Sequence, residues 1–409
     1  MQEKTTRSSA YVNYLSVLFF LIYGFMMLGA DGITFFADVF MKELQITASQ
    51  YSALNSAVWC TKAVSSVVIG ILADRTGKRK VWIVPSLILA SVFSILSAMV
   101  NSFWPLLILR FLWGCCVGAT LSMLVSILGK NLVKNDFGKR SGFVSAGSAV
   151  IASTLGPVLL TAVAMRFTWR GAFALTGILL LAATLVMQFT VKEVTYEKQT
   201  SEGNRAGSFF IALRELLKNR TFMLCLLIGV FECAGKLTLT IFGPLYLTDV
   251  AGIGTELKGI LLSAMGLIYI PISILIPALA DRFSGKKVML TTFVICLVTP
   301  LLMTLFPGSV ASVAGYVMFG NWAAATVSLF IYYIPGKALP ERLIGTANGL
   351  IMGVSVFFGG CIVPVLFGGI AGSVSGIHLI TMLCCLMFVA CIVLTALLKT
   401  PKSESKEKE

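Results

Sequence analysis

Residues 343–398 make up 56 consecutive positions without a single Asp, Glu, Lys or Arg. About 20 apolar residues carry an α-helix across the hydrocarbon core of a bilayer, so this run must hold two crossings and a turn. Residues 81–109 (29 positions) and 141–165 (25 positions) are equally free of charge. Across all 409 residues, 57% are hydrophobic, 12% are charged and mean hydropathy is +0.92. That is about half the charge of a soluble domain, too little polar surface to cover a water-soluble globule. A disordered chain, a disulfide scaffold and a cytosolic enzyme are thereby excluded. The sequence reads as an all-α polytopic membrane protein.

Charged and Gly/Pro breaks divide the chain into twelve spans: about 11–39, 50–73, 82–101, 104–128, 142–165, 171–191, 221–247, 257–280, 288–306, 310–335, 343–368 and 376–398. Of the 32 Lys and Arg residues, 25 fall in the termini and in the loops after even-numbered spans. Four (Lys42, Arg166, Arg170 and Lys258) fall on the other side, and Lys62, Arg110 and Lys236 lie within spans. Lys and Arg collect on the cytoplasmic side, so both termini are expected in the cytoplasm, with the protein in the cell membrane. The same distribution accounts for the net charge of +14 without nucleic acid. All ten cysteines sit inside spans with no C-x-x-C pair, so they read as small hydrophobes and not as metal or disulfide ligands. Residues 1–10 are polar and carry no cleavable signal, which implies that the first span is retained.

The two halves repeat. A shift of 207 residues lays Leu72-Ala73-Asp74-Arg75 on Leu279-Ala280-Asp281-Arg282, Gly129-Lys130 on Gly336-Lys337 and Gly142 on Gly349. The same shift lays Pro157-Val158-Leu159 on Pro364-Val365-Leu366 and Ser56-Ala57 on Ser263-Ala264. One register for five separate places implies twin six-helix bundles related by a pseudo-twofold axis along the membrane normal, with a cavity at the midplane. The expected division is a bundle over 1–191, a linker over 192–220, a bundle over 221–398 and a tail over 399–409. Within the linker, residues 208–218 are amphipathic and suit a helix lying on the membrane face.

The loop after span 2, Gly70-Ile-Leu-Ala-Asp74-Arg75-Thr-Gly77-Lys78-Arg79-Lys80, resembles the signature loop of the major facilitator superfamily of secondary transporters. It recurs in weaker form around Asp281 and Arg282. Arg110-Phe-Leu-Trp-Gly114 is similar to the span-4 motif of that family, with Trp113 where Gln is usual, and Gly147, Gly156-Pro157 and Trp169-Arg170-Gly-Ala-Phe173 fit spans 5 and 6. The resemblance covers the whole chain. It implies two pseudo-symmetric six-helix bundles, alternating-access transport of a small solute, no enzyme activity, no cofactor and a monomer among membrane lipids. It also implies conformational gating by Gly70, Asp74, Arg75, Gly77, Arg79, Asp281 and Arg282, with Asp74 either a latch onto a neighbouring helix end or a topology anchor.

A charge at the bilayer centre costs roughly 2.5–3.5 kcal/mol or more unless it is paired or hydrated, so charges within spans point to a cavity. Asn55, Trp59, Lys62 and Ser66 share one face of span 2, and Tyr269 stands at the repeat counterpart of Lys62. Lys62 is about eleven residues from either end of its span, too deep to snorkel easily; an anion clamp and a structural ion pair remain open to it. Glu232 and Lys236 lie four apart in span 7, either as a private ion pair or as a proton acceptor beside an anion site. The expected substrate residues are Lys62, Lys236, Trp59, Asn55, Tyr269 and Asn321; the expected proton-coupling residues are Glu232, Asp31 and Arg110. His378 reads as an interfacial residue. No Walker loop, H-E-x-x-H or Ser-His-Asp arrangement is present.

Residues 29–44 (GADGITFFADVFMKEL) and 50–57 are similar to the first two spans of the anion:cation symporter group. Ala30 stands near the place of a common arginine of that group, and Lys62 about where it has a cavity tyrosine. Proton-coupled transport of an organic anion, a carboxylate, is therefore the expected function. The alternative is a proton-driven drug or metabolite exporter, although Gly156-Pro157 lacks the paired glycines that usually follow in exporters. A sensor or scaffold ranks last, because it needs no charges inside the membrane.

Overall fold

The structure is a computed structural model that describes residues 9–131, 137–193 and 213–398; the side chains of residues 9, 71, 74, 75, 137–139, 281, 341 and 342 also lie outside the description. Among the described residues the chain is helical almost throughout and has no strand. This follows from the solvent: hydrocarbon offers no partner to backbone N–H and C=O groups, so each span must satisfy its own.

The first half runs α1 (Ser9–Asp31), a 3₁₀ turn (Gly32–Thr34), α2 (Ala37–Leu44), α3 (Ala48–Thr76), α4 (Lys80–Ser97), α5 (Phe103–Val117), α6 (Thr120–Lys130), α7 (Phe137–Gly147), a π-helical turn (Ser148–Leu155) and α8 (Gly156–Thr190). The second half runs α9 (Arg220–Asp249), α10 (Thr255–Arg282), α11 (Gly285–Leu305), α12 (Val310–Phe319), α13 (Ala323–Ser328), a π turn (Leu329–Tyr333), α14 (Ile334–Ala338), α15 (Glu341–Val354), a π turn (Ser355–Ile362), α16 (Val363–Gly368) and α17 (Val374–Leu397). Among the described residues, ten stretches are long and apolar enough to cross a bilayer. One of them, Arg140–Thr190, is 51 residues long. It is broken at Phe167 (φ −124°, ψ 18°) and Thr168 (φ 60°, ψ 175°), so it supplies two crossings. Helix α3, 29 residues long, adds another, made more polar by Asn55, Thr61, Lys62, Ser65 and Ser66. The described residues thus supply twelve crossings, and the protein is a multi-pass membrane protein.

The duplication extends to helix boundaries. Helices beginning at Ala48, Phe103 and Gly156 have counterparts beginning at Thr255, Val310 and Val363, each 207 residues on. The π turn Ser148–Leu155 recurs at the same offset as Ser355–Ile362. The cause is legible: Pro157 and Pro364 open the following helices. Proline has no N–H to return to the carbonyl four residues back, and the ladder widens there.

By its contacts the chain divides into two compact units, Met1–Thr200 with Pro244–Ile270, and Ser201–Gly243 with Pro271–Glu409. In the first unit α3 packs on α5, α4 on α5 and α8, and α1 on α7 and the π turn after it. Leu15, Phe19, Ile22, Val58, Leu87, Trp113 and Leu124 are buried at its centre. Gly118 is required at the α3–α5 crossing, since a Cβ there would collide with the Lys62 carbonyl and the Ser66 amide. Small residues at such crossings let helices approach closely enough for dispersion and hydrogen bonds to act. Ser65 Oγ uses that closeness to donate to the Gly114 carbonyl at 3.1 Å. In the second unit α11 packs on α17 and α12.

Helix ends are fixed by local chemistry. Thr47 and Gln50 form a capping box at the start of α3, and Gly77 at φ 65° ends it. Lys80 Nζ donates to the Gln188 and Val191 carbonyls, both at 2.6 Å, at the C-terminus of α8. In the second unit Lys286 Nζ does the same to Ala396 (2.7 Å) and Leu398 (2.5 Å) at the end of α17. An ammonium suits the negative end of a helix dipole. Residues 213–218 are helical. The rest of the expected linker helix and the tail over 399–409 lie outside the described residues.

Thr168 is a β-branched residue at positive φ, where side chain and backbone crowd each other. Such strain costs about 1–3 kcal/mol. Thr168→Gly should therefore raise the thermal unfolding midpoint of the purified protein by a few degrees; an unchanged or lower midpoint contradicts the strain.

Candidate functional site

In the first unit the spacing of four on α1 places Tyr23, Met27 and Asp31 on one face. Asn55, Trp59 and Lys62 lie on one face of α3. Lys62 joins the two sets: its Nζ sits 4.6 Å from the centre of the Trp59 ring and 3.3 Å from Met27 Sδ. The charge of Asp31 acts on Lys62, Arg110 and Tyr23, and Tyr269 acts on Tyr23 as well. Among the described residues, the one hydrogen-bond acceptor that Lys62 Nζ meets is therefore a thioether, a weak one for a group with three N–H donors. An ammonium over an aromatic face keeps its charge available to a second partner. Asn55 is buried and donates to the Tyr51 carbonyl at 3.2 Å.

Arg110 is 2% exposed and is held for a different purpose. Its two Nη atoms donate to the carbonyls of Gly29 and Ala30, both at 2.8 Å. The rings of Trp113 and Phe173 flank it at 5.7 and 5.8 Å. The guanidinium thus caps the last turn of α1, where carbonyls have no helical partner. Span 1, expected to continue to residue 39, instead stops as a helix at Asp31 and resumes as α2. Arg110 fixes where it stops, and with it the place of Asp31.

In the second unit Glu232 is 1% exposed and lies 3.6 Å from Lys236 Nζ, one helical turn on. Its Oε1 has no hydrogen-bond partner among the described residues. Cys233, Cys296 and Cys391 surround it closely enough to feel its charge. Asn321 lies in the break between α12 and α13, beside Trp322, whose Nε1 donates to the Met318 carbonyl at 2.8 Å. All ten cysteines are free thiols.

Of the loop residues, Gly77 ends α3 and Arg79 precedes α4 as its N-cap. Gly70 has open space where a Cβ would project, and Arg282 is exposed. The side chains of Asp74, Arg75 and Asp281 lie outside the described structure.

Tyr23 and Met27 are not among the residues expected from the sequence, although their fourfold spacing with Asp31 is a signal for them. Lys258 stands in the sequence as a charge on the non-cytoplasmic side. Lys258 is instead fully buried in the first turn of α10, ion-paired with the buried Asp38 of α2.

The Major Facilitator Superfamily profile matches residues 19–364. The chain belongs to the Major Facilitator Superfamily. It is 26% identical over 269 residues to the multidrug resistance protein MdtL of Klebsiella pneumoniae, covering 64% of this chain and 66% of that one. It is 25% identical over 352 residues to the multidrug resistance protein MdtG of Escherichia fergusonii, covering 78% and 82%. A match to an uncharacterized transporter of Buchnera aphidicola spans 49% of this chain and 48% of that relative, at 24% identity. The chain thus spans about half to two thirds of the first relatives it matches. Among solved structures, a bacterial homolog of the human lysosomal transporter Spinster superposes with a TM-score of 0.79 at 15% identity, covering 95% of this chain and 97% of that one. The nucleoside transporter NupG superposes with a TM-score of 0.78 at 15% identity, covering 94% and 100%. The likenesses to solved structures establish the fold, one shared with membrane transporters.

Removing Arg110 leaves two buried carbonyls without their charged donor. Bonds to charged groups contribute about 1.5–3 kcal/mol each, so Arg110→Leu should lower the thermal midpoint by several degrees or prevent folding. Arg110→Lys, with one point donor in place of a fork, should recover only part of the loss. A midpoint in Arg110→Leu equal to the parent protein removes the capping role.

Proposed function

We propose that the protein is a secondary transporter that moves a small organic anion, a carboxylate, together with protons by alternating access. The observation that carries this reading is the Lys62 ammonium, held over Trp59 and, among the described residues, bonded to no stronger acceptor than Met27 Sδ. A carboxylate is the partner such a group lacks. Each compact unit contains an acid and a lysine that act on one another within its spans, Asp31 with Lys62 and Glu232 with Lys236. Protonating the acid frees the lysine for the substrate anion, which ties proton and anion together. Trp59, Asn55, Tyr269 and Asn321 line the path, and Arg110 holds Asp31 in place for proton transfer. Residues 1–191 and 221–398 move as the two bundles, with Gly70, Asp74, Arg75, Gly77, Arg79, Asp281 and Arg282 gating them at the cytoplasmic face. Both termini are cytoplasmic, the bilayer is the cell membrane and the working unit is a monomer.

A second reading, proton-driven export of drugs, is favoured by the relatives named multidrug resistance proteins. Here the same carboxylates hold either a proton or a cationic drug. Purified protein in proteoliposomes separates the two. Symport accumulates labelled carboxylates when the outside is acidic; export moves cationic dyes against a proton gradient and ignores carboxylates.

In the symport reading, Lys62→Ala should reduce carboxylate uptake at least tenfold, and uptake at the parent rate and affinity discards the clamp. Glu232→Gln should retain counterflow exchange and lose accumulation driven by a pH gradient; retained accumulation discards its coupling role. Asp74→Asn should change the accessibility of cysteine reporters between the two faces, and unchanged accessibility leaves Asp74 a topology anchor.

A further inference from the structure

Asp38 is 8% exposed and Lys258 is fully buried, and they form a direct ion pair between α2 and the first turn of α10. Lys258 Nζ also donates to Thr248 Oγ1 at 3.2 Å, and Thr255 Oγ1 donates to Asp38 Oδ2 at 3.4 Å. Asp249 lies within electrostatic reach of Asp38 and Lys258, and of Lys42. The pair therefore fastens the turn between α9 and α10 to a helix of the first half. That turn belongs to residues 244–270, which the sequence repeat assigns to the second half and the contacts assign to the first unit.

The α2 end of the contact is firmly anchored. Phe40 packs edge-on against Trp169 of α8 at 4.9 Å, Phe36 against Phe173 at 6.2 Å, and Glu43 is ion-paired to Arg170. The α9–α10 end is seated differently. Gly259 lies against Thr161 and the Pro157 carbonyl, Gly266 against the Ser153 carbonyl, and Ser263 Oγ accepts from the Val158 amide at 3.2 Å. This contact is thus made by two glycines set close against backbone and by a hydrogen bond, with no side chain at Gly259 or Gly266 to interlock. A buried ion pair is a poor means of stability, because desolvation offsets its attraction, but it is selective: it holds only in one register. The repeat counterparts of these residues are Leu245 and Tyr51, so no symmetric twin of the pair exists.

We propose that the Asp38–Lys258 pair is a conformational latch, which holds residues 244–270 on the first unit in this state and opens in the alternate state of the transport cycle. The proposal rests on alternating access, but its test needs no substrate. Thr161→Cys places a thiol at a buried position against Gly259. Its labelling by maleimide in purified full-length protein, followed by mass spectrometry of its peptide, reports how often the segment leaves.

In the Thr161→Cys background, Asp38→Asn and Lys258→Met should each speed labelling at least tenfold at temperatures well below unfolding. The charge-swapped pair Asp38→Lys/Lys258→Asp should return the rate to within about threefold of the parent. Folded single variants that label at the parent rate overturn the latch. So does a swapped pair that folds yet labels as fast as the singles, since restored attraction must restore closure. If neither single variant folds, Asp38→Glu, which keeps the charge and shifts it by one methylene, becomes the measured variant. Faster labelling then supports the latch, and the parent rate overturns it. Loss of carboxylate uptake and dye movement alike, with labelling as expected, would discard the transport reading and leave the latch standing.

Discussion

A bilayer hydrates nothing inside it, and that one constraint shapes this molecule from residue choice upward. Backbone groups must pair within their own helices, so the chain becomes a set of spans. Where a span ends, a charged donor meets the loose carbonyls: Arg110 at the early end of α1, and Lys80 and Lys286 at the ends of α8 and α17. In water such caps are helpful; in hydrocarbon they decide where a helix is allowed to stop. The interruption at residues 32–36 is therefore a product of a residue about eighty positions away on α5.

The same constraint separates charges that build from charges that wait. Arg110 spends both Nη groups on main-chain carbonyls and Lys258 is sealed against Asp38. Lys62 has an aromatic ring and a sulfur for company. Glu232 keeps one oxygen without a hydrogen bond. Charges left short of partners in a medium that punishes the lack are where chemistry is expected, and Lys62 and Glu232 place such charges in both compact units.

Much of the architecture could be read before any coordinates. Charge-free runs gave the spans, and the 207-residue register gave the duplication, because both depend on composition and spacing that no tertiary contact can override. The breaks were less legible. The end of α1 depends on Arg110 reaching across from α5; the turn at Phe167–Thr168, by contrast, falls between the spans expected to end at 165 and open at 171, where Arg166 and Arg170 mark it. At the site, Lys62, Trp59 and Asn55 stood out because polar groups are rare in an apolar helix. Tyr23 and Met27 did not, since either could equally be packing; the position of Lys62 gives Met27 a role, and the charge of Asp31 reaches Tyr23. Asp38 and Lys258 were missed for the opposite reason. Each sits near a span end, where a charge is ordinary, and their burial comes from contacts between residues 220 positions apart.

The widened turns ahead of Pro157 and Pro364 have a mechanical consequence. In the first of them Thr154 Oγ1 donates to the carbonyl of Ala149, five residues back, patching a ladder that proline has loosened. A helix is least stiff where its main-chain ladder is patched by side chains, so each of these spans has a compliant point, set the same number of residues into its half. A rod with one soft joint flexes there before it flexes anywhere else. The duplicated sequence thus supplies a matched pair of elbows.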